Sequence, residues 1–134
     1  MAYTKTTWAT DDIITASGLN NIENGLDGVA NVVTTTGTPH ANYWTGVNVR
    51  FNVKKMGSLV IIDFEGTPNA SFGAWYTFGT IPEGYRPPEN QFFPIIHANT
   101  NILPMQVTSN GALQLLAALP SLSSIRFTVA YFVV

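Results

Sequence analysis

Residues 47–65 read VNVRFNVKKMGSLVIIDFE, and their alternation decides what kind of domain this chain builds. Val47, Val49, Phe51 and Val53 alternate with Asn48, Arg50, Asn52 and Lys54, the period of a strand with one apolar and one polar face. Lys55-Met56-Gly57-Ser58 reads as a hairpin turn, after which Val60, Ile62 and Phe64 resume the period. Successive side chains point to opposite faces, so the pairing must bring the apolar sets together. A two-residue loop at Met56 and Gly57 does this, setting Val53, Phe51 and Val49 opposite Val60, Ile62 and Phe64. The same register places Arg50 across from Asp63 and Asn48 across from Glu65, whereas a loop of odd length would bury both carboxylates among valines. A cross-strand Arg50–Asp63 pair worth about 0.2–1 kcal/mol is expected. Methionine at a positive-φ turn position is a cost, and a four-residue loop of the same parity stays open. Leu59 and Ile61 fall on this otherwise polar face and call for a cover: a loop, an N-terminal helix or a neighbouring subunit.

Downstream, further strands are expected at 72–78, 91–97, 102–109, 112–119 and 125–133. Asn110-Gly111 tolerates the two positive φ angles of a type I′ hairpin. Pro94 and Pro104 cannot donate to a ladder, which predicts edge strands or bulges. In the last segment Ile125, Phe127, Val129, Tyr131 and Val133 alternate with Arg126, Thr128, Ala130, Phe132 and Val134, and both faces are apolar beyond Thr128. Such a strand is either central or buried at a subunit interface, with Phe132 as a candidate contact. Upstream, residues 34–46 (TTTGTPHANYWTG) read as a polar linker. Before them Thr15 or Ser17 could cap a short helix carrying Leu19, Ile22, Leu26 and Val29 along one stripe. Gly18, Gly25 and Gly28 weaken it as a coiled coil, so docking on the chain's own sheet, self-association and a plug for a partner all stay open. The expected organisation is an N-terminal arm and helix over 1–33, for attachment or self-association, and one all-β domain of β-sandwich or jelly-roll type over 34–134.

Composition narrows the function. The chain has 134 residues and 10% charged residues, against about 25% in ordinary domains, with 46% hydrophobic. A surface so poor in charge suits a domain partly covered by other protein chains, a homo-oligomer or larger assembly. Six basic against eight acidic residues leave no footprint for nucleic-acid phosphates. No stretch approaches the roughly 18 apolar residues of a membrane span, and no signal-peptide core opens the chain, so cytoplasmic synthesis is expected. There are no cysteines, His40 and His97 are the sole imidazoles, and no phosphate-binding glycine loop, HExxH or GxSxG motif occurs. No cofactor or metal is expected.

Asp63 and Glu65 share one strand face about 7 Å apart, within the range that glycosidase carboxylates use. With Asp63 already paired to an arginine, the reading is non-enzymatic. Binding suits the residues better. Trp44, Trp75 and Tyr76 sit in or near expected turns, where aromatic faces can stack on sugars. Arg86, His97, Asn99 and Gln106 supply hydrogen-bonding groups for hydroxyls. The alternative for the large aromatics is to plug the end of the core, and for His97 to be a structural histidine. Candidate docking contacts are Leu19, Ile22, Leu26, Val29, Leu59, Ile61 and Phe132.

Three phrases carry a resemblance. GTIPEGYRPP at 79–88 is a proline-glycine elbow between strands, in which Gly84 suits the third position of a type II turn. WATDDIITASGLNNIENGL at 8–26 presents Trp8, Asp12, Ile14, Thr15, Ala16, Leu19, Asn20, Ile22, Glu23 and Gly25 in a recognisable spacing. VTSNGALQL at 107–115 is a hairpin phrase. Together they resemble small tail-tip and baseplate proteins of siphophages infecting Gram-positive bacteria. That resemblance implies a β-sandwich module of the host-adsorption apparatus in the virion tail, commonly trimeric. Some such modules dock on other tail proteins, and others are receptor-binding heads for cell-wall polysaccharide. Docking is the leading expectation and saccharide recognition the alternative.

Overall fold

The computed structural model describes residues 7–120 and 122–133, without the side chains of residues 27–30. The beginning of the Thr-rich arm and the side chain of Val29 lie outside that set. The elements in chain order are α1 (Ala16–Ala30), β1 (Val33–Thr36), β2 (Thr38–Pro39), α2 (Ala41–Trp44), β3 (Arg50–Met56), β4 (Leu59–Gly66), β5 (Thr77–Thr80), β6 (Gln91–His97), β7 (Asn101–Val107), β8 (Ala112–Leu115) and β9 (Ile125–Phe132). The domain is all-β behind a short helix, as expected.

Among the described residues nine strands form one antiparallel sheet in the order β1-β3-β4-β9-β6-β7-β8-β5-β2. The first and last strands of that order are consecutive in the chain, separated by Gly37 alone, so the sheet nearly closes on itself. The two apolar faces that a sandwich brings together are here opposite walls of one sheet. Phe51, Val53, Val60, Ile62, Phe64, Phe78, Ile95, Met105, Val107, Leu113, Leu115, Ile125 and Phe127 fill the interior. Phe64 is the hub, with its ring centroid within 5.5 Å of those of Trp44, Phe51, Phe78 and Phe127.

The β3–β4 hairpin keeps the expected parity but is shifted by two residues. Phe51 faces Phe64, Val53 faces Ile62 and Met56 faces Leu59, leaving Gly57 and Ser58 as the loop. Gly57 takes φ of +59° and Met56 needs no positive φ, which removes the cost of the Met56-Gly57 alternative. Arg50 now lies directly opposite Glu65, with Asp63 on the diagonal, and its guanidinium reaches both: Nε to Asp63 Oδ2 at 3.1 Å and Nη1 to Glu65 Oε2 at 2.7 Å.

Other expectations are corrected. Residues 34–46 are not a linker: β1 pairs with β3, β2 pairs with β5, and α2 closes one end. The strand expected at 72–78 begins only at Thr77, because 73–76 form a turn in which Trp75 takes a positive φ. Residues 108–111 join β7 to β8, and three of them lie inside the closing pair Thr108 and Ala112. Thr108 N donates to Ala112 O at 2.9 Å, and Gly111 alone takes a positive φ, of +85°, so the turn ends in a glycine bulge rather than in type I′ geometry. Pro94 and Pro104 are interior to the sheet and directly opposite each other. Two opposed prolines can only form a non-hydrogen-bonded pair, so their missing N–H groups would face β9 and β8. Those ladders cover only Ile96–His97 of β6 and Met105–Val107 of β7, so no bond is forfeited. β9 is central, between β4 and β6, which accounts for its apolar inner face of Ile125, Phe127, Val129 and Tyr131.

Candidate functional site

The registers give the domain two unlike ends. At one end lie the 57–58 hairpin, the exit of β9 at Phe132 opposite Leu59, and the start of β1 at Val33 opposite Lys55, which brings α1 there. The 79–88 elbow is pinned to this end. Pro82 O accepts from Tyr85 N at 3.2 Å around Gly84, whose φ of +88° is that of a type II turn. Lys55 Nζ donates to Gly84 O at 3.0 Å, Arg86 Nε donates to Ile81 O at 3.0 Å, and Tyr131 Oη donates to Tyr85 O. Burial holds the Tyr131 phenol protonated far above its usual range, so it keeps its role as donor. At the other end lie the start of β3, α2, the 67–76 connection, the 98–100 loop between His97 and Asn101, and the 116–124 connection.

Of the residues expected to contact saccharide, Trp75, Tyr76, His97 and Asn99 share the second end. Trp75 and Tyr76 are 57% and 58% exposed, beside a cleft of ≈ 400 Å³ formed by Ser71, Phe72, Gly73, Tyr76, Ala118, Leu119 and Pro120. Trp75 N donates to Leu115 O at 2.8 Å, which fixes the backbone under the indole. Asn99 is exposed at a loop position with φ of +66°, and His97 Nδ1 is buried with no hydrogen-bond partner. β7 and β8 stand between His97 and the Trp75 turn, a separation of about 14 Å at three strand spacings. The four residues therefore belong to one end of the domain without forming one pocket.

The remaining three do not join them. Trp44 is only 4% exposed and its Nε1 donates to Phe78 O at 2.8 Å, so it plugs the core and offers no face to a ligand. Gln106 is buried in mid-sheet, donating to Gln114 Oε1 at 2.6 Å. Arg86 is at the opposite end, on the elbow.

A larger cleft of ≈ 830 Å³ went unforeseen. It lies where the β1–β2 crossover meets residues 47–52 and 65–67, with Asn48, Asn52, Thr36 and Thr67 among its polar lining and Arg50 and Glu65 beside them. No short motif could have announced it, because three separate segments create it. Its charges are internally matched. Glu65 is shared by Arg50 at 2.7 Å and Arg126 at 2.8 Å, while Asp63 binds Arg50 and accepts from Thr128 Oγ1 at 3.4 Å. The hydrogen bond it donates to Asp63, with the pull of both carboxylates, holds the Arg50 guanidinium charged beyond its already high range.

The helix end has a different chemistry. Thr15 caps α1, its Oγ1 accepting from Gly18 N at 3.0 Å, and Asp12 Oδ2 accepts from Ala9 N at 2.5 Å. These bonds fold the segment back so that the Trp8 indole lies on Gly18, where a Cβ would come within 2.9 Å of the ring. Trp8, Ala9, Asp12, Ile14, Leu19 and Ile22 enclose a small apolar pocket of ≈ 290 Å³. Leu19 and Leu26 nevertheless remain 51% and 64% exposed. On the sheet Phe132 is 67% exposed, and Leu59 and Ile61 are half-buried.

No protein-family model matches the sequence, and no curated protein matches it. Among solved structures, the chain is similar to the crystal structure of the receptor binding protein (gp15) of Listeria phage PSA, with a TM-score of 0.59 and 14% identity over 96% of this chain and 89% of that one. What they share is the fold.

Proposed function

We propose that the chain is a non-enzymatic component of a bacteriophage tail tip, in the virion's host-adsorption apparatus, held to other tail or baseplate proteins by its helix-bearing end. The observation that carries this reading is the set of exposed apolar residues on the helix and the strand ends beside it. Leu19 and Leu26 on α1 and Met56 and Phe132 at the ends of β3 and β9 are all exposed, while the opposite end presents the aromatic rings of Trp75 and Tyr76. The fold shared with a phage receptor-binding protein supports the setting. The absence of an enzymatic role is supported by Asp63 and Glu65, whose carboxylates are both engaged by arginine. Deleting residues 1–30 is expected to leave a folded domain, because β1 begins at Val33 and every ring of the aromatic hub comes from α2 or the sheet, beyond the deleted segment. In a phage carrying the deletion, the shortened protein should disappear from purified tails. Its undiminished presence in those tails would refute the attachment reading.

A second reading, a receptor-binding head for cell-wall polysaccharide, is favoured by Trp75 and Tyr76, which present large exposed rings on the free end beside a cleft. Base-free aromatic platforms of this kind suit the apolar faces of sugars. Trp75→Ala should then weaken binding to wall polysaccharide about tenfold, a loss of about 1.4 kcal/mol, with an unchanged melting temperature. Calorimetric titration of the intact protein showing no binding at about millimolar sugar would remove it.

A further inference from the structure

The acidic and basic residues of this chain are unevenly placed. Between Thr6 and His40 there are four acidic residues, Asp11, Asp12, Glu23 and Asp27, and no Lys or Arg. The same segment carries the apolar stripe that the fold leaves uncovered, Leu19 and Leu26, with Ile14 beside it. A surface of opposite character lies on the outer face of β3, β4 and β9. There the register lines up Met56, Leu59 and Phe132 in one row and Lys54, Ile61 and Ala130 in the next. Further along the same face come Asn52, Asp63 and Thr128, then Arg50, Glu65 and Arg126, where the charges neutralise one another. Lys54 is thus the charged residue within the apolar rows, and it is exposed with no carboxylate partner among the described residues.

We propose that α1 of one copy packs across the outer face of β3, β4 and β9 of a second copy, with Leu19 and Leu26 on Leu59, Ile61 and Phe132 and with Glu23 toward Lys54. The dimensions agree. Leu19 to Leu26 spans about 10 Å at 1.5 Å per residue, and three adjacent strands are about 10 Å across. Charge complementarity selects a second copy as the occupant, because the stripe flanked by Glu23 and the rows that hold Lys54 are both on this chain, and Leu19, Leu26, Glu23, Lys54 and Phe132 are all exposed. In its observed position α1 leans on β3 yet leaves the stripe exposed, and only residues 31–32 join it to β1. The inference rests on the helix-bearing end being a protein-binding surface. It differs from attachment in needing no other tail protein.

A charge exchange on the full chain tests it. Glu23 has no ion pair among the described residues, and both it and Lys54 are exposed, so Glu23→Lys and Lys54→Glu should leave the fold intact. By sedimentation velocity the unaltered protein should self-associate reversibly, and each reversal alone should weaken this about tenfold by placing like charges together. An equimolar mixture of the two variants should regain association, since each helix then meets a sheet of opposite sign. Phe132→Asp should dissociate the assembly independently of the pair. A monomer at about 0.1 mM for the unaltered chain would overturn the proposal. So would a mixture no better associated than its components, which is the result expected if the helix folds onto its own sheet. A monomer that still enters tails would sink this inference and leave the attachment reading standing.

Discussion

Phe64→Ala is expected to lower the stability of the domain by about 3–5 kcal/mol, the largest effect of any single core truncation here. Phe64 is fully buried on β4, and four aromatic rings from four different parts of the chain converge on it: Trp44 from α2, Phe51 from β3, Phe78 from β5 and Phe127 from β9. Phe51 and Phe127 flank it along the sheet, and Phe78 comes from the opposite wall. Removing the ring therefore separates the two walls as well as neighbours on one wall. The surrounding side chains are themselves rigid rings that cannot collapse into the space, so the cavity term adds to the lost transfer energy. Urea unfolding followed by tryptophan fluorescence measures it, with the midpoint falling and the slope unchanged. A loss below about 1 kcal/mol would show that the two walls do not meet at this ring.

Gly37→Ala should cost about 3 kcal/mol, the upper part of the usual range for overpacking. Gly37 is the single residue between β1 and β2, and its N–H donates to Phe51 O at 3.0 Å. A Cβ at this position would overlap the Phe51 ring, which also closes on Gly79, where a Cβ would come within 2.9 Å of it. Phe51 cannot retreat because its ring is also packed on Phe64. The expected result is a domain that unfolds at lower denaturant and opens first at the seam between the sheet's two edges. Hydrogen exchange at β2 and α2 reports that opening. In a double-mutant cycle Phe51→Leu should relieve part of the Gly37→Ala cost, since the smaller side chain makes room. Strict additivity would mean that the clash is not the cause.

The strands with one polar face were legible as soon as the alternation was read. In β3, β4 and β9 the side chains face a core on one side and solvent on the other, and a period of two records that difference directly. The shift of the first hairpin by two residues was not legible, because parity restricts the loop to even lengths and does not choose among them. Only the conformational preference of Gly57 for positive φ separates the two loops. Residues 34–46 looked like a linker because short strands and a four-residue helix hold too few residues for any period to be visible. Their structure comes from partners elsewhere in the chain.

The candidate site divides in the same way. Trp75, Tyr76 and Asn99 could be read as exposed because turn chemistry surrounds them. Trp44, in a similar polar context, is buried because α2 folds over the open end of the sheet and Phe78 offers a carbonyl to its indole N–H. The large cleft had no trace in sequence at all, since its wall is assembled from three segments.

By itself the sequence determined an all-β domain with a capped N-terminal helix and the inward and outward faces of its principal strands, which puts Arg50, Asp63 and Glu65 on one face. These follow from local rules, the period of side chains along a strand and the oxygen of Thr15 at a helix start. The tertiary structure alone decided that one sheet nearly closes on itself at Gly37, that the helix and the aromatic loops occupy opposite ends, and which aromatic residues reach solvent. Those properties depend on pairings between strands far apart in the chain, and nothing in the alternation of a single strand specifies its neighbour.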